Sequence, residues 1–225
     1  MIVQMIARTV IFLAFLGALL MVPAGTWWWP NAWLFLAVFG VSGIAVGWWL
    51  AVVDPELLRE RMQFAVRAKQ SFSDRIIMSV IAVLFFAWLV AMGYDVRLHG
   101  QSMLPQWLSY LGAAALVLCF VGALALFRVN RFAVPVVKVQ AEREHTVIST
   151  GPYAYVRHPM YAGALGFLLG APLLLGSWWG LAAALLLVLA MAIRAVLEER
   201  ALTAELEGYA DYAARVRYRL VPYLW

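Results

Sequence analysis

Apolar residues fall along this chain in long unbroken runs, not in the alternations that mark elements with one wet face. Six runs are visible: Ile6–Val22, Ala32–Val53, Ile76–Tyr94, Leu108–Phe127, Met160–Leu175 and Trp178–Leu197. A helix crossing a bilayer needs about 20 such residues. Five runs meet that length and Met160–Leu175 is short. Only Gly176-Ser177 separates the last two, which predicts a tight helical hairpin. The polar stretch Asp54–Asp74 carries Leu57, Leu58, Arg61, Met62, Ala65 and Val66, the pattern of a basic interfacial helix lying along the membrane surface, or it is a solvated connector.

Composition agrees with the runs. Hydrophobic residues make up 65% of 225 and charged residues 13%, and mean hydropathy is +0.85. A soluble fold has no interior large enough for that much apolar surface, so the surrounding medium is largely lipid. A cytosolic enzyme, a disordered chain and a disulfide-stapled secreted module are excluded. Cys119 is the single cysteine, which rules out an internal disulfide and a CxxC metal or redox site.

Charge gives orientation. Of 17 Lys and Arg, only Arg97 falls on one side of the alternating segments. Basic residues stay cytoplasmic, so both termini and the two long loops are expected there. No basic face is left over for nucleic acid. Trp27, Trp28, Trp29, Trp107, Trp178 and Trp179 fall at the expected outer ends, as an aromatic belt does.

The expected fold is therefore an all-α integral membrane protein of about six segments with a cytoplasmic helical tail. Residues 1–127 form four membrane helices with a basic loop at 54–75. Residues 128–225 form the region that carries chemistry: a connector, the hairpin 160–197 and the tail. If the source is bacterial, the membrane is the inner or plasma membrane.

None of the apolar cores holds Asp, Glu, Lys or His at mid-depth, which argues against an ion path. His145 and His158 lie outside the runs, so a haem held between spans is not expected. Polar residues gather instead in the connector 128–158 and the tail 194–225. A hairpin brings its own ends together, so His158 should meet Glu198 and Glu199. His158-Pro159 reads as a helix start. Its free N–H groups beside Arg157 suit an anion, or it is a plain interfacial helix start. Glu198-Glu199 suits ribose hydroxyls or a cationic ligand, or it is a solvated helix exit. Tyr212, Arg215 and Arg219 would share one helical face.

Arg157-His158-Pro159-x-Tyr161-x-Gly163, the apolar hairpin, Glu198-Glu199-x-x-Leu202 and Tyr209-x-x-Tyr212-x-x-Arg215-Val216 occur in that order. With the approach from His145 to Tyr153, this set resembles the isoprenylcysteine carboxyl methyltransferase family. More broadly it resembles the membrane methyltransferases that include phospholipid N-methyltransferases. The resemblance runs from about Lys138 to Pro222. It implies a membrane enzyme that uses S-adenosylmethionine and releases S-adenosylhomocysteine. It also implies a lipophilic or lipid-modified acceptor entering from the bilayer, and isoprenylcysteine-carboxylate O-methylation is the reaction expected first. Phospholipid amine and small thiol acceptors stay open. By motif position His145, Tyr153, His158, Pro159, Tyr161, Gly163, Glu198, Glu199, Tyr209, Tyr212 and Arg215 would hold the cofactor. Arg157 and Glu198 are the catalytic candidates. Two other classes compete: a nicotinamide-dependent lipid reductase using Arg215, Arg217 and Arg219, and a non-enzymatic membrane scaffold.

Overall fold

The computed structural model describes residues 1–67, 72–100, 104–133 and 146–225. Among these, helices α1 (Ile2–Ala24), α2 (Pro30–Val53), α3 (Pro55–Arg67), α4 (Phe72–His99), α5 (Gln106–Val129), α6 (Pro159–Leu175), α7 (Trp178–Glu205) and α8 (Tyr209–Arg215) occur, with no strand. All-helical architecture is thus as the runs predicted. Five helices are long and apolar enough to cross a membrane, and α6 is a shorter apolar helix. The long helices extend beyond their apolar runs, from two residues in α2 to eight at the end of α7, because intrahelical bonds satisfy the backbone into the polar boundary. The lipid-type surface is visible directly: Val41, Leu118 and Leu185 are among many exposed large apolar side chains.

Inside the bundle, packing is aromatic. Phe35, Phe39, Phe85, Trp88 and Phe167 form a chain of ring contacts across α2, α4 and α6. Lipid tails are as apolar as these rings, so hydrogen bonds and close approach must fix the helix pairs. Trp88 Nε1 donates to Gly180 O at 2.7 Å, tying α4 to α7. Asp95 of α4 accepts from Ser177 Oγ at 2.7 Å and from the Trp179 N–H at 3.1 Å, so it holds the hairpin turn. Gly176, with φ +76°, turns the chain between α6 and α7.

The pairing of α5 with α6 positions the site. At one end they touch backbone to backbone: a Cβ on Gly112 would fall 2.4 Å from Leu174 N and 2.5 Å from Gly170 O. Toward the other end Cys119 Sγ still reaches Gly163 O at 3.3 Å, but a Cβ on Gly122 or Gly163 would meet open space, so a wedge opens between the helices there. The site lies at that divergent end, where α2, α5 and α7 finish and α4 and α6 begin.

One expected belt residue is not in the belt. Trp29 is 1% exposed, packed in the core where α2 starts, while Trp27, Trp28, Trp107, Trp178 and Trp179 are exposed. Pro30 starts α2 directly after Trp29, and the turn that feeds it carries the ring inward. The basic stretch after Asp54 forms the helix α3, but Leu57 and Leu58 do not lie along a membrane surface: they are buried against α2 and α5, because the ends of those helices offer them an apolar seat.

Candidate active site

Two tight backbone bonds assemble the site. The Arg157 N–H donates to Tyr218 O and the His158 N–H to Arg219 O, each at 2.9 Å. The residues entering α6 are thereby laced to the tail leaving α8. His158 is the residue preceding the first turn of α6, and Pro159 occupies that turn, where a missing N–H costs nothing.

The hairpin returns Glu198 and Glu199 to this point, as the sequence predicted. Glu199 Oε1 accepts from Arg157 Nε at 2.6 Å and lies 3.2 Å from His158 Nε2. Glu199 Oε2 accepts from Arg157 Nη2 at 3.3 Å and from Arg219 Nε at 2.8 Å. A carboxylate offers about four acceptor positions, and these four contacts fill them. The remaining Arg157 nitrogen, Nη1, donates to Ala213 O and Val216 O at 3.1 and 3.0 Å, satisfying carbonyls at the end of α8. Arg157 and Glu199 are therefore committed to each other and to the tail.

Glu198 differs. Its Oε2 accepts from Tyr161 Oη at 2.5 Å, lies 4.0 Å from His158 Nδ1, and the side chain is 22% exposed. This carboxylate keeps capacity for a further donor. The Tyr161 ring is stacked parallel with the His158 imidazole, centroids 5.4 Å apart.

Three further tyrosines close the wall. Tyr212 Oη donates to Tyr153 O at 2.8 Å, and Asn130 Nδ2 donates to Tyr153 Oη at 2.6 Å. Burial pushes the Tyr153 hydroxyl up to about 12; the Asn130 amide lowers it somewhat and the Glu198 charge raises it. Burial chiefly, and then the charges of Glu199 and Glu198, raise Tyr209 as well. Both phenols stay protonated at neutral pH. Tyr209 is 4% exposed, and its hydroxyl has no hydrogen-bond partner among the described residues.

Beside this cluster lies a cavity of about 730 Å³ in the wedge between α5 and α6. Leu118, Gly122, Leu126, Phe127, Tyr155, Pro159, Met160, Gly163, Leu220 and Pro222 line it. The first turns of α6 have two uses: Pro159, Met160 and Gly163 face the cavity, while His158 and Tyr161 face the carboxylates.

Not every sequence candidate is gathered here. Arg215 is exposed at the end of α8, and His145 lies outside the described residues. The expected common face of Tyr212, Arg215 and Arg219 does not form, because α8 stops at Arg215. Arg219 instead reaches Glu199 from the irregular tail. Its role could not be read from spacing, since no periodicity governs that stretch.

A helical membrane bundle with a charged, tyrosine-walled site beside an apolar wedge is the class so defined. The model of the phospholipid methyltransferase family matches residues 107–209. That match takes in α5, the connector and the hairpin, and bears out the resemblance to membrane methyltransferases carried by the motif set. It indicates a membrane methyltransferase, and with the five long apolar helices it marks an integral membrane protein. No curated protein matches the chain.

Proposed function

We propose that this chain is an S-adenosylmethionine-dependent methyltransferase acting on a lipophilic acceptor. The observation that carries the reading is adjacency: the open carboxylate of Glu198 and the apolar wedge share the first turns of α6. Such a site holds a polar donor on one side and an apolar acceptor on the other. The positive-inside distribution of Lys and Arg supports placing this end of the bundle, and both termini, on the cytoplasmic side.

The residues fit the cofactor. A buried tyrosine hydroxyl without a partner is costly unless a ligand supplies one, and Tyr209 offers such a donor to a hydroxyl, carboxylate or ring nitrogen. Glu198 suits the ammonium or the ribose diol. The face of Tyr153 suits the sulfonium, whereas the Tyr161 ring already stacks on His158 and carries the Arg194 guanidinium over it. When bound, the cofactor supplies an electrophilic methyl carbon. The chain supplies orientation and exclusion of water, which are what a displacement that neutralises charge needs. Arg157 acts here as a positioning residue: it fixes Glu199 and the tail. A carboxylate or thiolate acceptor needs no base; an amine must arrive neutral.

Isoprenylcysteine-carboxylate O-methylation remains the first acceptor reading. A second is a phospholipid amine. It is supported by the full occupation of the Arg157 fork, which leaves that guanidinium no edge for an acceptor carboxylate. The description of the matching family points the same way.

The test is calorimetric binding of S-adenosylhomocysteine to the detergent-purified protein, with His158→Ala and Glu198→Ala alongside and a nicotinamide nucleotide in parallel. Saturable binding lost in both variants is expected. Nicotinamide binding in its place would favour the reductase, and binding of neither would favour the scaffold. Tyr209→Phe gives a finer check. The variant should be as stable as wild type or more so, because it removes an unpartnered buried hydroxyl. Its S-adenosylhomocysteine affinity should fall several-fold, the value of one hydrogen bond of about 1 kcal/mol.

A further inference from the structure

We infer that Asp74 and Arg194, a buried ion pair between α4 and α7, form a positioning device that sets Tyr161 and, through it, Glu198. This rests on the methyltransferase reading. Arg194 Nε lies 3.4 Å from Asp74 Oδ1, with side chains 6% and 7% exposed. The Arg194 guanidinium carbon stands 5.5 Å from the centre of the Tyr161 ring, and Tyr161 Oη donates to Glu198. A continuous path thus runs from the first turn of α4 to the open carboxylate. Asp74 lies outside the segment that matches the family.

Stability does not account for the pair. Desolvating two charges is expensive, and an apolar pair of similar volume often holds helices as well or better. In a lipid-embedded bundle the cost argues for use. The contact between α4 and α7 is already made by Trp88 and Gly180. What an apolar residue cannot do is hold a cation over the Tyr161 ring. Nor can Arg194 do this alone. Glu198 sits four residues further along the same helix, the spacing at which opposite charges meet. Without Asp74 the guanidinium would be drawn to Glu198, displacing the Tyr161 hydroxyl and closing the carboxylate to ligands. Asp74 suits the counter-charge, because the first turn of a helix favours an anion.

The experiment uses ¹³C-tyrosine-labelled full chain in detergent, with the Tyr161 resonance assigned by its loss in Tyr161→Phe. It follows Asp74→Asn, Asp74→Glu and the double variant Asp74→Leu/Arg194→Met. Asp74→Asn should shift the Tyr161 resonance and weaken S-adenosylhomocysteine binding about tenfold or more, the scale of a misplaced site. Asp74→Glu should recover both in large part. The apolar double variant should unfold no earlier than wild type yet stay weak. A native Tyr161 resonance or native affinity in Asp74→Asn overturns the inference, as does native affinity in the double variant, which would reduce the pair to a fastener. An Asp74-dependent Tyr161 shift in a wild-type chain that binds no S-adenosylhomocysteine supports the positioning and removes the cofactor reading.

Discussion

Glu199→Ala is expected to abolish methyl transfer and to release the tail, whereas Glu198→Ala is expected to abolish transfer and leave the tail in place. Glu199 is the common anion of Arg157, Arg219 and His158. Removing it leaves the Arg157 guanidinium, 9% exposed, without a counter-charge. Breaking a buried pair from one side costs about 3–5 kcal/mol, a large part of a domain's whole stability. The loss is cooperative, because Arg157 also holds the carbonyls of Ala213 and Val216. Thermal unfolding of the detergent-solubilised variant and trypsin cleavage at Arg215, Arg217 and Arg219 read this out: earlier melting and faster cleavage in Glu199→Ala. Among the described residues Glu198 makes one direct hydrogen bond, from Tyr161, so its loss should leave melting and cleavage near wild type while S-adenosylhomocysteine binding disappears. Equal tail protection in the two variants would reject this division of roles between adjacent carboxylates.

That division marks the limit of what the sequence carried. His158, Glu198 and Glu199 were legible as one cluster because a helical hairpin is local: two apolar runs with a Gly-Ser turn must return to their start; Tyr161 came only with the family resemblance. Which carboxylate is spent on structure was not legible. The answer depends on Arg219, which arrives through an irregular tail bridged by backbone bonds to Arg157 and His158. Asp74 was hidden for another reason. It lies 120 residues from Arg194, and helix order within a bundle is not encoded by apolar runs alone. The wedge was hidden as well. A stripe of small residues in α5 and α6 says that two helices approach closely, but not at which end they part. Trp29 shows the same limit at one residue: interfacial spacing predicted a lipid anchor, and the turn before Pro30 buried it.

The wedge makes the second large prediction. Gly163 and Gly122 stand on opposing helices with open space where a Cβ would go. Gly163→Ala should therefore bind S-adenosylhomocysteine as wild type does and gain roughly 0.5–1 kcal/mol of stability from helix propensity. Gly163→Leu or Gly122→Leu places a branched side chain in the space an acceptor chain would fill. Each buried methylene contributes about 0.8 kcal/mol, so excluding four of them costs about 3 kcal/mol. At 1.4 kcal/mol per decade this is on the order of 100-fold in kcat/KM. The loss should grow with acceptor chain length and be small for truncated acceptors, because only the chain, not the reacting head, meets the new side chain. S-adenosylhomocysteine affinity should hold, since the carboxylates and tyrosines that would bind it face the other side of α6. Measuring kcat/KM across prenylated-cysteine and amine-lipid acceptors of graded length separates the outcomes. A chain-length-dependent loss assigns the wedge to the acceptor. Long-chain turnover unchanged in both leucine variants would place the acceptor elsewhere. A loss of S-adenosylhomocysteine binding together with turnover would instead make the wedge part of the cofactor site.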